Sequence, residues 1–275
     1  MRQSTVNEAL TAAQSLGVPR LDAQLLLLHC LSKPDTARPW LLSHDGDTLN
    51  NNAVLVFRRL VERRAAGEPL AYIVGYKDFF GLRFKVDSSV LIPRPDTETL
   101  VQWALDGLAA QDKPAVLDMG TGSGAVAIAL ALQLNIAVDA TDVSEQALNV
   151  AAFNARLLGA DVRFLLSHWF DNVSGQYHLI ASNPPYVADG DPHLAALTHE
   201  PLNALTAGAD GLSDIQHIVQ GAPSCLHCGG WLLLEHGYDQ AGAVCELLVK
   251  RGFSQVQSRT DLAGVARCSG GQWMD

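Results

Sequence analysis

Three short stretches of the sequence carry residue types that a ligand site needs. The first is Asp118-Met119-Gly120-Thr121-Gly122-Ser123-Gly124, where an apolar strand pattern gives way to an apolar helix pattern. Glycines let the backbone turn sharply there and approach a ligand closely. The first N–H groups of the following helix are left free to face the same place. The spacing is G-x-G-x-G, not the G-x-G-x-x-G of dinucleotide binders, and no Lys-Ser or Lys-Thr follows as in a phosphate-binding loop. The second stretch centres on Asp142, 18 residues beyond Gly124 at the end of the next strand pattern. A carboxylate at that place can accept hydrogen bonds from both hydroxyls of a ribose. It would also serve as a simple helix cap, since a helix pattern begins after Val143-Ser144. Together the glycine turn and the acid predict a nucleoside-bearing ligand without saying which.

The third stretch, Asn183-Pro184-Pro185-Tyr186, discriminates. It directly follows the strand pattern Leu179-Ile180-Ala181-Ser182. Two successive prolines remove two N–H donors. What remains is acceptor-rich: the side-chain oxygen of Asn183 and the carbonyl of Pro184. That pair suits an –NH₂ group, which offers two donors. Tyr186 adds a flat apolar wall for a planar group. A rigid turn would need no more than the prolines, but this one falls at the C-terminal edge of a predicted parallel sheet, where open α/β sheets bind ligands. The expected chemistry is methylation of a planar amide or amine nitrogen, with S-adenosylmethionine as the methyl source. An amide nitrogen is a poor nucleophile because its lone pair is delocalised into the carbonyl. Two accepted hydrogen bonds fix its orientation and push electron density toward nitrogen, so proximity and electrostatic preorganisation supply most of the rate gain. The product cation is acidic enough to lose its proton to water. None of the nine histidines is therefore needed as a base.

The elements around these stretches fall into two textures. Over the first seventy residues apolar positions recur at helical spacing: Val6, Ala9, Leu10, Ala13 and Leu16, then Leu21, Leu25, Leu28 and Leu31, then Val54, Phe57, Leu60 and Val61. Gly17 with Pro19, Pro34, and Gly67 with Pro69 punctuate them, which predicts a small helical bundle. From Tyr72 to Val90, aromatic and β-branched residues alternate with turn residues, and a β-hairpin is expected there. Pro93-Arg94-Pro95 then stiffens the chain. Beyond it strand and helix patterns alternate: strands at Ala115–Met119, Val138–Thr141, Val162–Leu166, His178–Ala181 and Trp231–Leu234, helices at Ser123–Leu134 and Glu145–Leu158, and a weak closing pair of strands from Phe253 onward. Such alternation implies an α/β fold, a parallel sheet with helices on both faces. The expected division is a helical domain over 1–71, a hairpin linker over 72–95, and the α/β domain over 96–275.

A chain of 275 residues with 48% hydrophobic and 17% charged residues has ample material for a core. The net charge of −10 argues against a clamp on a nucleic-acid backbone, which needs a basic excess. Arg58, Arg59, Arg63 and Arg64 form the densest basic cluster, and a solvated helix face is the expected reading of it. Cys225 and Cys228 have C-x-x-C spacing, but a second pair of ligands that would complete a zinc site is missing from the sequence. The five cysteines read as structural thiols, and no metal is expected. The start, Met1 to Thr5, leads into an amphipathic segment, and the longest apolar runs are too short to span a bilayer. A cytoplasmic monomer is expected.

The chain resembles the bacterial release-factor glutamine methyltransferases (the PrmC/HemK family) over nearly its whole length. The stretches that carry the resemblance are Glu68 to Gly75, Leu91-Ile92-Pro93-Arg94-Pro95-Asp96-Thr97-Glu98, Gly120 to Gly124, Ser182 to Tyr186, Glu200-Pro201-Leu202-Asn203-Ala204-Leu205, and Leu232 to Gly237. The Asn-Pro-Pro-Tyr motif is shared with DNA adenine methyltransferases; its combination with Leu91 to Glu98 is more specific. The resemblance implies a seven-stranded, Rossmann-like methyltransferase domain behind a helical domain that helps grip the release factor. It implies that Gly120, Thr121, Gly122, Ser123, Gly124, Asp142 and Asn183 hold S-adenosylmethionine, with Trp169 beside the adenine. Asn183, Pro184, Pro185 and Tyr186 would hold the glutamine of the release factor's Gly-Gly-Gln motif, and the product would be N5-methylglutamine. His168 departs from the pattern, standing where relatives usually carry an acid before the Trp-Phe pair. Gly270-Gly271-Gln272 matches the substrate tripeptide, and is expected to be a chance occurrence in a frayed tail. Three other readings compete. A ribosomal-protein glutamine methyltransferase would carry a different stretch at Pro192 to His199; a DNA adenine methyltransferase would need a basic face; a non-catalytic S-adenosylmethionine sensor would not need Asn183 to Tyr186.

Overall fold

The computed structural model describes residues 4–192, 194 and 197–275. Met1 to Gln3 of the amphipathic start therefore lie outside the described residues, as do His193, Ala195 and Ala196 of the stretch weighed against the ribosomal-protein reading. The chain divides into two compact units, Met1–Tyr76 and Lys77–Asp275.

The first unit contains α1 (Val6–Ser15), α2 (Arg20–Cys30), α3 (Arg38–Ser43), α4 (Asn51–Ala65) and α5 (Leu70–Val74). Helix α1 starts at Thr5, whose hydroxyl accepts from the Glu8 N–H while the Glu8 carboxylate accepts from the Thr5 N–H. Helix α4 starts at Asn50, whose side chain accepts from the Ala53 N–H. Val6, Ala9, Ala13, Leu26, Leu27, Leu28, Phe57 and Val61 are buried together as the core of this unit. The phase expected for α2 is only partly right: Leu28 is buried and Leu31 packs on the core. Leu21 is exposed, and the buried face runs through Ala23, Leu26 and Leu27. A run of four leucines leaves the helix phase undetermined by pattern alone, and packing against α1 and α4 chose it. Arg58, Arg63 and Arg64 pair with Glu62, Glu68 and Asp22 inside the unit, so the basic cluster is largely neutralised locally.

Tyr72 to Val74, expected in the hairpin, are helical instead. Pro69 precedes this single turn, and Gly75 closes it at φ +84°. The aromatic and β-branched composition reflects burial of Tyr72 and Ile73, not strand pairing. The hairpin itself is short: β1 (Tyr76–Phe79) and β2 (Leu82–Lys85). Its turn residues Phe80 and Gly81 both have positive φ, which matches the right-handed twist of paired strands.

The second unit holds a seven-stranded sheet made of β3 (Val116–Met119), β4 (Val138–Asp142), β5 (Val162–Leu166), β6 (Tyr177–Ser182), β7 (Leu226–Glu235), β8 (Ser254–Thr260) and β9 (Ala266–Gln272). The order is β5-β4-β3-β6-β7-β9-β8, with β3 to β7 parallel and β9 antiparallel to both neighbours. Successive strand residues face opposite layers. Val116, Leu179, Ala181 and Leu233 join α6 (Glu98–Leu108), α7 (Ala125–Leu134) and Ala155 of α8 (Glu145–Leu158). Leu117, Met119, Ile180, Leu232 and Leu234 join α9 (Ser213–Gly221) and α10 (Ala241–Arg251). Gly270-Gly271-Gln272 is not a frayed tail. It lies in β9 between β7 and β8, and both glycines are buried. A Cβ on Gly270 would sit 2.7 Å from the Leu232 carbonyl oxygen, and one on Gly271 2.8 Å from Phe253 Cβ. Glycine's weak strand preference hid a position where only glycine fits.

Candidate active site

Five neighbouring strands end at the same edge of the sheet, and the chain after or at each end supplies one part of a single site. The order across that edge is Trp169 after β5, Asp142 at the end of β4, Gly120 after β3, Asn183 after β6 and Glu235 at the end of β7. The parallel register brings Met119 level with Thr141 and Ser182, and Ser182 level with Leu234. A cavity of about 330 Å³ opens there, lined among others by Thr97, Gly120, Thr121, Gly122, Ser123, Asp142, Trp169 and Asn183. That is within the size range of sites for nucleoside-sized ligands, roughly 300–1,000 Å³.

The glycine turn is held from below. Gly120, Gly122 and Gly124 have φ of +70°, +55° and +84°. Side-chain-bearing L-residues rarely adopt such values. Beneath the turn the buried Asp118 carboxylate accepts from Thr121 Oγ1 at 2.6 Å and from the Ala127 N–H at 3.1 Å. Burial pushes its pKa up to about 6 despite these bonds. Asn154, fully buried on α8, donates to the Ser123 carbonyl and exchanges two hydrogen bonds with the Lys85 backbone of β2.

Asp142 Oδ2 accepts from the Gly122 N–H and Oδ1 from the Ser144 N–H, each at 2.9 Å. The Val143 N–H is a third backbone donor to it, and of the about four acceptor sites on an ionised carboxylate at least one remains for a ligand. The capping role belongs to Ser144, whose hydroxyl accepts from the Ala147 N–H at the start of α8. Burial raises the Asp142 pKa above the usual carboxylate range. Trp169 has φ +45°, a costly conformation for a large side chain. Its ring covers the glycine turn, with ring carbons 3.6 and 3.8 Å from where a Cβ on Gly120 would be. Asp214 of α9 lines the cavity and accepts a hydrogen bond from the Trp169 indole. His168 also lines the cavity, is largely exposed, and lies 5.7 Å from the His217 ring.

Asn183 donates from Nδ2 to Thr97 Oγ1 at 3.2 Å, while its Oδ1 is buried with no partner among the described residues. Pro185 also lines the cavity, whereas Pro184 is buried and does not. Tyr186 does not line it either. Its hydroxyl donates to Glu235 Oε1 at 3.4 Å and its carbonyl accepts from Gln240. Burial pushes the Tyr186 phenol well above its usual range. Glu235 is itself fully buried, and burial raises its pKa to about 7 although hydrogen bonds from Thr97 and Tyr186 pull it down. Arg94 pairs with Glu200, which also accepts from the Ile92 N–H, so the stiff segment around Pro93 is tied to the loop before Pro201. His236 is buried and saturated by Gly237 and Ser269, and burial lowers its pKa.

Sequence reasoning did not single out Thr97, Asp118, Asp214 or Glu235. Asp118 and Glu235 carry a usable signal, a carboxylate at the end of an otherwise apolar strand. Thr97 and Asp214 carry none, since their partners come from distant parts of the chain.

The arrangement fits a nucleoside-sized ligand. The Asp142 carboxylate keeps acceptor capacity, an open backbone turn lies beside an indole wall, and Asn183, whose amide oxygen is buried without a partner among the described residues, lines the same cavity. Comparison with known proteins agrees. Residues 5–75 match the PrmC N-terminal domain, and residues 97–258 match the methyltransferase small domain. A Bordetella pertussis protein named release factor glutamine methyltransferase is 48% identical over 260 residues, covering 93% of this chain and 95% of that one. A Coxiella burnetii protein of the same name is 43% identical over 270 residues, covering 97% and 96%. In fold, a methyltransferase from Pyrococcus furiosus superposes with a TM-score of 0.54 at 20% identity, covering 78% of this chain and 98% of that one.

Proposed function

The chain belongs to the release factor glutamine methyltransferases, and from that membership we propose how its own residues carry the reaction. The activity is transfer of a methyl group from S-adenosylmethionine to the side-chain amide nitrogen of a glutamine, and the substrate glutamine is the one in the Gly-Gly-Gln motif of class I release factors. The observation that carries the residue assignment is the buried, unpartnered Oδ1 of Asn183 at the wall of a cavity shared with Asp142 and the glycine turn. An orphaned buried acceptor costs about 1–3 kcal/mol and calls for a donor. A primary amide supplies one.

Bound S-adenosylmethionine supplies an electrophilic methyl group. The Asp142 carboxylate holds the ribose hydroxyls. Gly120 to Gly124 let the backbone lie against the nucleoside, and Trp169 packs beside the adenine. Ser123 and Thr121 shape the floor. Asn183 Oδ1 accepts one amide N–H of the glutamine and the Pro184 carbonyl accepts the other. Both hydrogens are then held in the amide plane, and the nitrogen presents its face to the cavity. Pro185 confines the planar group, and Tyr186, tied to Glu235, holds the end of the motif in place behind it. The proton released after transfer leaves to water, and no base among these residues is required. The helical unit serves as the part that recognises the release factor. A protein substrate suits the net charge of −10 better than a nucleic acid does.

The test is mass spectrometry of a recombinant release factor after incubation with this protein and S-adenosylmethionine. One added methyl group on the Gly-Gly-Gln glutamine is expected, and none when that glutamine is replaced. Transfer to a ribosomal-protein glutamine instead would overturn the substrate assignment and keep the chemistry.

A further inference from the structure

Resting on that reading, we propose that Thr97 is a positioning residue, aligned by Glu235, which fixes which end of the Asn183 amide faces the substrate. A side-chain amide has two nearly isosteric ends. One accepts, and the other donates. Only the accepting end can hold a substrate –NH₂ group; the donating end repels it. Something must select the orientation, and Asn183 cannot select it alone.

The selection runs outward from a buried carboxylate. Above its raised pKa of about 7, Glu235 is ionised and can only accept hydrogen bonds. Both Thr97 and Tyr186 direct their hydroxyl hydrogens to it. Thr97 has a single hydrogen, and it is committed to Glu235. Toward Asn183, Thr97 Oγ1 is then an acceptor only, and it takes the Nδ2 end at 3.2 Å. Oδ1 is left as the end without a partner. Thr97 is 4% exposed and Glu235 1%, so water does not compete for these bonds. The three residues come from different parts of the fold: the turn before α6, the loop after β6 and the end of β7. The same carboxylate holds the Tyr186 hydroxyl, so one buried charge orders both ends of the Asn183–Tyr186 motif. Glu235 Oε2 has no partner among the described residues, so the hydroxyl donors meet this carboxylate through Oε1.

The experiment uses the full chain with an intact release factor and S-adenosylmethionine, comparing Thr97→Val, Thr97→Ser, Glu235→Gln and the Thr97→Val/Glu235→Gln double variant. Valine keeps the volume of threonine and removes the acceptor. Asn183 Nδ2 then turns toward the cavity, and kcat should fall about 10- to 100-fold, the cost of one missing buried hydrogen bond. KM for S-adenosylmethionine, its calorimetric binding and the unfolding midpoint should stay near those of the unaltered protein. Thr97→Ser restores the hydroxyl and should recover kcat to within about threefold, because it restores that hydrogen bond. Glu235→Gln should lower kcat by itself but add little to Thr97→Val, since both act through one path. Full kcat in Thr97→Val, or losses in the double variant that simply multiply, would overturn the inference while leaving the methyltransferase reading intact. No methylation by the unaltered protein would overturn that reading first, and this inference with it.

Discussion

At the scale of single residues, the site rests on a few polar atoms whose partners are either fixed or conspicuously missing. Asn183→Ala removes the orphaned acceptor and leaves Asp142, the glycine turn and Trp169 in place. Its kcat should drop by on the order of 10²–10³-fold, as when one preorganised hydrogen-bonding group is removed from a reacting centre. Calorimetric affinity for S-adenosylmethionine should change little, and single-turnover kinetics separates the two effects. Glu235 gives a pH prediction of a different kind. Its carboxyl is pushed up to about 7 from an ordinary 4.5, so between those values the folded protein binds a proton that the unfolded chain releases. Stability from this group is therefore greatest at low pH and is lost as pH rises through the window, by up to roughly 3 kcal/mol. Urea unfolding at about pH 5 and about pH 8 should show a smaller decline in Glu235→Gln than in the unaltered protein. A parallel decline in both would remove Glu235 as its source. Asn183, Asp142 and the glycines were legible from type and spacing, because each must sit at a strand end to act. Glu235 was legible only as a carboxylate ending an apolar strand, and Thr97 was not legible in its role, because its meaning lies in contacts across distant segments that no spacing announces.

At the scale of elements, the strand order decides which loops can share a site, and the glycines of β9 decide whether the sheet closes. Gly270→Ala places a methyl group against the Leu232 carbonyl and the side chains of Leu233 and Trp103. Overpacking of this kind costs about 1–3 kcal/mol. Thermal unfolding of the second unit should shift down accordingly, with the affinity for S-adenosylmethionine retained below the transition. An unchanged melting temperature would mean that β7 and β9 separate more easily than their packing implies. The parallel strands β3 to β6, and helices α7 and α8, were readable because apolar runs and helical periodicity alternate cleanly there. Helices α6, α9 and α10 were not identified from pattern, and the single turn of α5 was mistaken for strand. Short elements bury few residues, so composition speaks more loudly than periodicity. The phase of α2 was only partly legible for the opposite reason: a run of leucines satisfies every phase.

At the scale of the whole molecule, charge and division of labour belong together. Residues 1–76 carry 8 Lys and Arg against 7 Asp and Glu, a net of +1, so the second unit carries −11, more than the whole net charge of −10. A near-neutral helical unit suits recognition of a folded protein, and an acidic second unit discourages nucleic acid. Removing residues 1–75 should lower kcat/KM for the intact release factor by on the order of 10²-fold, the loss of a few interface anchors. Turnover of a short peptide containing Gly-Gly-Gln should persist. Equal loss on both substrates would show that the helical unit supports the fold and not recognition. The order of strands also has a consequence for how the molecule is made. Strand β9 is the last of the seven to be synthesised, yet its place is inside the sheet, between β7 and β8. Until residues 266–272 emerge, β7 presents an open edge of unpaired backbone groups, the kind of edge that invites pairing with other chains. Helices α1 to α5 contact one another locally and are free to fold early. The sheet has to wait, and a chaperone that shields a strand edge during translation would have most to protect in the interval between β7 and β9.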